Sequence, residues 1–234
     1  MNDGAGDTQQ KGGHSTLYLV VVALFIATLI ASNIVAVKLI NVSGLTLTAA
    51  IVIFPLSYII GDILTEVYGY RQARRAIWLG FLANLLVVVT IVIAGALPAA
   101  GFWKDQLAFD LILGQSPRIL AASFAAYLVG EFANSFVLAK MKIATAGRFL
   151  WLRTIGSTLV GQGLDSAIFV AIAFAGVLPG DVLVATMITQ WLVKSGYEAA
   201  ATPLTYLTVG YLKRKDGVDV YDHDTRFNPL LIAD

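Results

Sequence analysis

The stretch FPLSYIIGDILTEVYGYRQARR, residues 54–75, begins as apolar membrane-type sequence and ends in charge. Asp62 and Glu66 stand four residues apart near its middle, on one face of a helix. Three arginines close the stretch: Arg71, Arg74 and Arg75. Carboxylates are costly inside a bilayer, whereas arginines just beyond a span are common. The stretch therefore predicts a transmembrane helix with buried acids, followed by a basic turn at a membrane surface.

The composition of the whole chain supports a membrane protein. Of its 234 residues 58% are hydrophobic and 13% charged, the mean hydropathy is +0.77, and the net charge of +1 gives no reason to expect a nucleic-acid partner. Cysteine is absent, and the two histidines, His14 and His223, lie in polar tails. Thiol nucleophiles, thiolate metal sites and buried imidazole bases are thereby excluded. The sequence predicts no catalytic centre, no metal site and no cofactor.

Long apolar runs predict an all-α, polytopic membrane protein with six transmembrane helices. The expected domains are a disordered cytoplasmic tail at 1–15, a transport domain at 16–212 and a soluble cytoplasmic tail at 213–234. A segment at 101–113 is too short to span and is expected at the membrane interface. The predicted spans are 16–37, 46–68, 76–97, 118–140, 154–178 and 184–212.

Basic residues predict the orientation. With the N terminus in the cytoplasm, twelve lysines and arginines lie on the inner side and only Lys38, Lys104 and Arg118 on the outer side. This bias places both termini in the cytoplasm. The three arginines of residues 71–75 are then topology markers first, with anionic lipid headgroups as their simplest partners.

Five charged residues lie well inside the predicted spans, away from the span ends, and four of them are acids. An ionised side chain at that depth costs about 2.5–3.5 kcal/mol, so such residues normally face the bundle interior and pair. One lysine cannot neutralise four carboxylates, and a structural Lys194–Glu198 pair is the simplest use of that lysine. The remaining acids are expected to be protonated, hydrated or matched by a ligand, the alternative being that they join helices through hydrogen bonds. The five residues are Asp62, Glu131, Asp165, Lys194 and Glu198.

The spacing of the polar residues predicts that most spans offer them to one interior. Glu131 with Asn134, and Gln162 with Asp165, are three residues apart and share helix faces. Gln190, Lys194 and Glu198 form a ladder, and Ser32 and Asn33 add polar groups to the first span. The third span offers only Asn84 and Thr90, which predicts that it faces lipid. Pro55 and Pro203 predict interruptions or kinks in the second and sixth spans.

The chain resembles the queuosine-precursor transporter family, also called the vitamin uptake transporter family, over nearly its whole length. The motifs that carry the resemblance follow in order and spacing: SN at 32–33, FPLSYIIGDILTEVYG at 54–69 with RR at 74–75, R…AS…GE..N across 118–134, ST..GQ..DS..F across 157–169, K..YE at 194–198 and DVYDHDTRFNP at 219–229. The tail departs from the family pattern at NPLL, where an aromatic residue is expected after the proline.

The resemblance implies a multi-pass protein of the bacterial inner membrane, similar in fold to the substrate-binding subunits of energy-coupling-factor transporters. It implies uptake of 7-deazaguanine precursors of queuosine, such as the 7-cyano or 7-aminomethyl compound, without an ATPase module. A carboxylate suits the N1–H and 2-amino edge of such a base, an amide or lysine suits O6, and an aromatic ring suits the flat face.

These needs define candidate roles. Glu131 or Asp165 would accept from the base edge, and either assignment fits equally well. Asp62 and Glu66, nearer the cytoplasm, would gate or relay protons. The other candidate substrate-binding residues are Asn33, Asn134, Gln162, Phe169, Trp191, Lys194, Tyr197 and Glu198.

Other functions fit the sequence less well. A binding subunit that needs a separate energy-coupling ATPase remains the main alternative. An intramembrane aspartyl protease built on Asp62 and Asp165 would lack a GxGD motif, and a passive channel would not need charged ladders. Small residues permit close helix contacts, but the sequence does not decide between a monomer and a homodimer. The expected partners are the lipid bilayer and a small deazapurine substrate.

Overall fold

A computed structural model describes residues 15–42, 45–114 and 117–231 of the chain. The described residues form seven α-helices, one antiparallel pair of strands and a short 3₁₀ helix at Ala49–Val52. The predicted tail at 1–15 lies outside the described residues except for Ser15. In chain order the elements are α1 Thr16–Val35, β1 Leu39–Val42, β2 Leu45–Thr48, α2 Phe54–Tyr68, α3 Tyr70–Ala96, α4 Gln106–Leu113, α5 Pro117–Ala144, α6 Leu150–Phe174 and α7 Gly180–Asp216.

Helix α2, which carries the charged stretch, is the central helix of the bundle. It packs against α1, α3, α5 and α7, and every residue from Ser57 to Tyr68 is buried. The helix ends at Gly69, whose φ of +83° reverses the chain into α3. Because α2 has neighbours on all sides, its acids face protein rather than lipid.

The second span begins later than predicted. Residues 46–53 were expected to be helical, but β2 occupies Leu45–Thr48 and pairs antiparallel with β1. Pro55 consequently lies in the first turn of α2, where a missing backbone N–H costs nothing. The prediction that Pro55 interrupts a helix was wrong, whereas Pro203 does lie inside α7.

Four segments are long and apolar enough to cross a membrane: Thr16–Val35, Tyr70–Ala96, Leu150–Phe174, and Gln106–Ala144, which contains both α4 and α5. Helix α2 is short, with 15 residues, and α7 has 37 residues but carries charges along its length. The chain is thus a predominantly helical, multi-pass protein, and the count of six spans stays a prediction. Helix α3 exposes a run of leucine, valine and isoleucine side chains, as a lipid-facing helix would.

Glycines set the closest helix pair in the bundle, α5 with α6. A methyl group added at Gly161 would lie 2.7 Å from Cβ of Asn134 and 2.9 Å from the carbonyl oxygen of Gly130. Only residues without side chains allow the two backbones to approach this closely. The approach brings the polar residues of α5 and α6 into one interior.

The C-terminal tail, residues 217–231, folds back onto one end of the bundle. The amide of Val220 donates to the carbonyl oxygen of Val67 at 3.2 Å, and the Tyr70 hydroxyl donates to the carbonyl oxygen of Phe227 at 3.1 Å. The indole N–H of Trp78 donates to the carbonyl oxygen of Pro229 at 2.8 Å. Helix α7 itself runs to Asp216, four residues beyond the predicted span. The tail is therefore packed against α2 and α3 rather than free in solvent.

Arg74 belongs to this packing. Its guanidinium group is fully buried and donates to the carbonyl oxygens of Arg226 and Asn228, each at 2.9 Å. The expectation that Arg74 meets lipid headgroups is wrong, because the tail covers it. Arg71 is exposed and Arg75 is half-buried.

Candidate functional site

A large cavity opens at the end of the bundle opposite the tail. Its volume is about 1180 Å³, somewhat above the usual range for small-molecule sites. The C-terminal halves of α1, α3 and α6 and the N-terminal halves of α5 and α7 line it, and α4 adds residues 109–113. Most of the lining is apolar, so its few polar side chains can orient a ligand.

An ion pair between α6 and α7 lies on the cavity wall. Nζ of Lys194 lies 2.5 Å from Oδ2 of Asp165, and both residues line the cavity. The side chains are 14% and 6% exposed, so the pair is shielded but reachable. Lys194 also lies 4.5 Å from the centre of the Phe54 ring. The predicted Lys194–Glu198 pair was wrong, because Asp165 on the neighbouring helix comes closer to the lysine.

Two asparagines link α1 and α3 on another side of the cavity. The amide of Asn33 donates to Oδ1 of Asn84 at 2.8 Å, and Asn84 in turn donates to the carbonyl oxygen of Gly80. Both asparagines line the cavity. No role in the site was predicted for Asn84, because it lies on a span predicted to face lipid. In the structure Asn84 lines the cavity.

Of the three aromatic residues predicted to bind the substrate, one lines the cavity and two do not. Phe169 lines the cavity. Trp191 donates its indole N–H to the carbonyl oxygen of Leu159 at 2.9 Å, and Tyr197 is 44% exposed. Neither Trp191 nor Tyr197 lines the cavity among the residues that the structure describes.

Five further aromatic residues line the cavity and were not predicted: Phe54, Phe109, Phe124, Tyr127 and Phe174. Phe54 stands eight residues before Asp62 and twelve before Glu66, so the three residues follow a spacing of multiples of four along α2. This spacing could have indicated Phe54 from the sequence.

Several predicted polar residues lie deeper than the cavity. Glu131, Asn134 and Gln162 are fully buried and are absent from its lining. The amide of Asn134 donates to Oδ1 of Asp62 at 2.7 Å. Glu198 and Asp62 together line a separate void of about 10 Å³, the volume that one water molecule needs. The structure thus splits the candidate residues into a cavity group and an inner group.

Glu66 lies nearer the tail and is surrounded by cations. Its Oε1 is 2.8 Å from Arg153, 2.7 Å from Lys213 and 3.8 Å from Lys142. Lys142 and Lys213 also contact Asp219 of the tail, at 2.5 and 2.9 Å. Glu66 therefore joins α2, α5, α6, α7 and the tail, and the bundle is closed at this end. Within the described residues no group of three or more acidic, histidine or cysteine side chains is placed to hold a metal ion.

A multi-pass helical bundle with a cavity open at one end and an ionic closure at the other is the arrangement expected of a membrane transporter. The family model described as "Putative vitamin uptake transporter" matches residues 48–208. The chain belongs to the vitamin uptake transporter family, as its motifs indicated, and is not an enzyme.

Curated relatives agree with this placement. The chain is 34% identical to the "Probable queuosine precursor transporter" of Bacillus subtilis, over 76% of this chain and 78% of the relative. It is 30% identical to the "Queuosine precursor transporter" of Escherichia coli, over 65% of this chain and 66% of the relative. No solved structure matches the chain.

Proposed function

We propose that this transporter imports queuosine precursors, 7-deazaguanine bases such as the 7-cyano or 7-aminomethyl form, across the bacterial inner membrane. The observation that carries the proposal is the Asp165–Lys194 pair on the cavity wall. It occurs in a chain whose relatives in B. subtilis and E. coli are named as transporters of such precursors.

The ion pair is complementary to one edge of a guanine-like base. That edge presents O6, N1–H and the 2-amino group side by side, as one acceptor followed by two donors. Lys194 can donate to O6 while Asp165 accepts from N1–H and the amino group. Adenine presents a different order of donors and acceptors, so the same pair would discriminate against it.

Aromatic residues of the cavity supply the rest of the recognition. Phe54 lies beside Lys194, and Phe169 is one turn of α6 beyond Asp165. A flat base held by its edge at the ion pair would stack against one of these rings. Asn33 and Asn84 lie across the cavity, where they would contact the 7-substituent or the water around it.

The closure by the tail bears on the direction of transport. Under the proposed topology, with six spans and both termini in the cytoplasm, the cavity opens to the outside and the Glu66 cluster closes the cytoplasmic end. Import then requires the cluster to open while the cavity closes. Accumulation of substrate by this chain alone, in cells that lack an energy-coupling ATPase, would distinguish the transporter from a binding subunit.

Ligand-dependent thermal stability of the purified protein tests the proposal. The ligands are 7-cyano-7-deazaguanine, the 7-aminomethyl form and adenine, and the variants are Asp165→Asn and Asp181→Asn. Asp181 also lines the cavity but lies thirteen residues before Lys194 on α7, which makes its variant a matched control.

A deazaguanine is expected to raise the melting temperature of the wild type and of Asp181→Asn, because a ligand that binds only the folded state stabilises it. Asp165→Asn should weaken binding by about 30-fold, since losing one partner of a buried charged contact costs about 2 kcal/mol or more. Absence of any shift with either deazaguanine, or an equal shift with adenine, would overturn the proposal.

A further inference from the structure

Three carboxyl groups from three helices share the interior beyond the cavity. Asp62 on α2, Glu131 on α5 and Glu198 on α7 are 3%, 0% and 6% exposed. Asp62 and Glu198 line the same water-sized void, and Asn134 bridges α5 to Asp62. We call these three residues the inner carboxyl group.

Glu131 is the most deeply buried of the three. Neither of its carboxyl oxygens has a hydrogen-bond partner among the described residues, which is also true of Glu198, but Glu198 lies against the water-sized void and Glu131 does not. A methyl group added at Gly61 would lie 3.0 Å from its Oε2, so the carboxyl group lies directly against the backbone of α2 next to Asp62. A buried, unpartnered carboxylate would be strongly unfavourable in its ionised form.

A second buried polar group, the hydroxyl of Tyr58, lies in the same interior. It is fully buried and has no hydrogen-bond partner in the described part of the chain. It lies 2.5 Å from the position that a methyl group at Gly130 would take, and Cβ of Asp165 lies 2.9 Å from the same position. An unsatisfied hydroxyl and an unsatisfied carboxyl group in one interior indicate a site that is completed by something other than protein.

The neighbouring lysine and arginine side chains form ion pairs with other carboxylates and do not neutralise the inner carboxyl group. Lys194 pairs with Asp165, and Arg153, Lys142 and Lys213 surround Glu66. The titratable side chains of α1 and α3 that the structure describes lie near the tail, and α1 brings Phe25 to Gly61. The titratable groups that face the inner carboxyl group are Tyr58 and Glu66 of α2, Tyr127 of α5, Asp165 of α6 and Lys194 of α7.

The available space favours a proton over a metal cation as the positive charge that neutralises the inner carboxyl group. The void beside Asp62 and Glu198 holds about one water molecule, too little for a cation with several water ligands. A proton needs no additional volume, and one water molecule between two carboxyl groups can pass it on.

We propose that the inner carboxyl group is a proton site, with Glu131 as its principal proton carrier, and that it couples precursor uptake to proton influx. This inference rests on the proposed function. An O–H bond forms on a carboxylate oxygen of Glu131 as an O–H bond of a hydronium ion in the open cavity breaks, and the proton crosses the buried layer that separates Glu131 from the cavity. The new O–H bond breaks when the tail end opens, and the proton leaves to water on the cytoplasmic side. The buried carboxylate that remains after the proton has left is energetically unfavourable. The transporter without substrate therefore tends to return to the state in which Glu131 takes up another proton.

Infrared spectroscopy tests the site without any substrate. The wild type should show the C=O stretch of a buried protonated carboxylic acid at neutral pH, and Glu131→Gln should lose that band. Asp181→Asn should keep it, because Asp181 lies in the first turn of α7 and is exposed. Glutamine mimics the protonated acid in shape and charge, so the variant should fold. Tyr58→Phe provides a second variant, which should keep the band but shift its frequency.

Uptake into vesicles tests the coupling. An inward proton gradient should drive precursor accumulation by the wild type, with acidification of the lumen. In Glu131→Gln, gradient-driven accumulation should fall by about tenfold or more, as expected for two coupled ligands, while precursor binding is retained.

The outcomes separate the two proposals. Precursor uptake that ignores the pH gradient, or that follows a sodium gradient instead, would overturn the proton site and leave the proposed function standing. A wild type that has the acid band but neither binds nor carries a precursor would overturn the proposed function, and with it the coupling. Absence of the band, or its survival in Glu131→Gln, would overturn Glu131 as the proton carrier.

Discussion

Asp222 caps helix α3 from a position 152 residues further along the chain. The backbone amide of Tyr70, the first residue of α3, donates to both carboxylate oxygens of Asp222, at 3.1 and 3.0 Å. The preceding residue, Gly69, has no side chain with which to cap the helix. A buried carboxylate at a helix N terminus satisfies an otherwise free amide and interacts favourably with the helix dipole. The tail therefore completes α3 as well as covering it.

Asp222→Ala is expected to destabilise the protein by about 0.5–2 kcal/mol, the usual cost of losing an N-cap. Asp224→Ala is the matched control, since Asp224 is exposed and two residues away. Chemical denaturation in detergent measures both. Equal stabilities of the two variants would show that the cap contributes nothing.

Asp219 gives the tail contact a pH dependence. Partial burial acts to raise the pKa of Asp219, but hydrogen bonds and charge from Lys142 and Lys213 outweigh it and hold the pKa below its ordinary value of 3.8. A depressed pKa stabilises the fold above the unfolded value, and this stabilisation is lost as the pH falls through the folded value. The melting temperature of the wild type should therefore exceed that of Asp219→Asn at neutral pH, and the difference should shrink below about pH 3.8. A difference that grew on acidification would contradict this account.

Gly69→Ala should loosen the tail. Gly69 has a φ of +83°, and an added methyl group would lie 2.6 Å from Cγ1 of Val220. Gly176 has a similar φ of +76° but no neighbouring atom within 4 Å, so Gly176→Ala carries the backbone strain alone. Holding a residue other than glycine in such a sparsely populated backbone region costs about 1–3 kcal/mol. Limited trypsin digestion at Arg226 should be faster for Gly69→Ala than for Gly176→Ala, and equal rates would argue against the tail contact.

Gly161→Ala should force α5 and α6 apart. Its methyl group would meet the backbone oxygen of Gly130, which cannot move aside as a flexible side chain could. Overpacking of this kind costs about 1–3 kcal/mol. Gly210→Ala, in an open position on α7, should instead stabilise its helix by up to about 1 kcal/mol. Opposite signs of the two changes in melting temperature would support the close approach, and a stabilising Gly161→Ala would refute it.

Hydropathy located most of the helices because long apolar runs have few alternatives to membrane spans. Helices α1, α3, α5 and α6 agree with the predicted spans to within a few residues, apart from a longer start of α3. The start of α2 was missed because LTLT, residues 45–48, is apolar enough for a span yet β-branched enough to pair as a strand. The docked tail was missed because most of its contacts to the helices use backbone carbonyl oxygens, which leave no pattern in a sequence.

Hydropathy and charge in the sequence were enough to identify a polytopic membrane protein with four acids and one lysine well inside its predicted spans. The sequence also determined the family, because the order and spacing of the motifs need no structure. The packing of the helices was needed to show that Lys194 pairs with Asp165, that Glu66 belongs to the closed end, and that Glu131 has no hydrogen-bond partner among the described residues. Hydropathy places a helix in the membrane but does not set its rotation or its neighbours. Those depend on side-chain volumes at contacts such as Gly130 with Gly161 and Gly61 with Glu131, which exist only once the helices have packed.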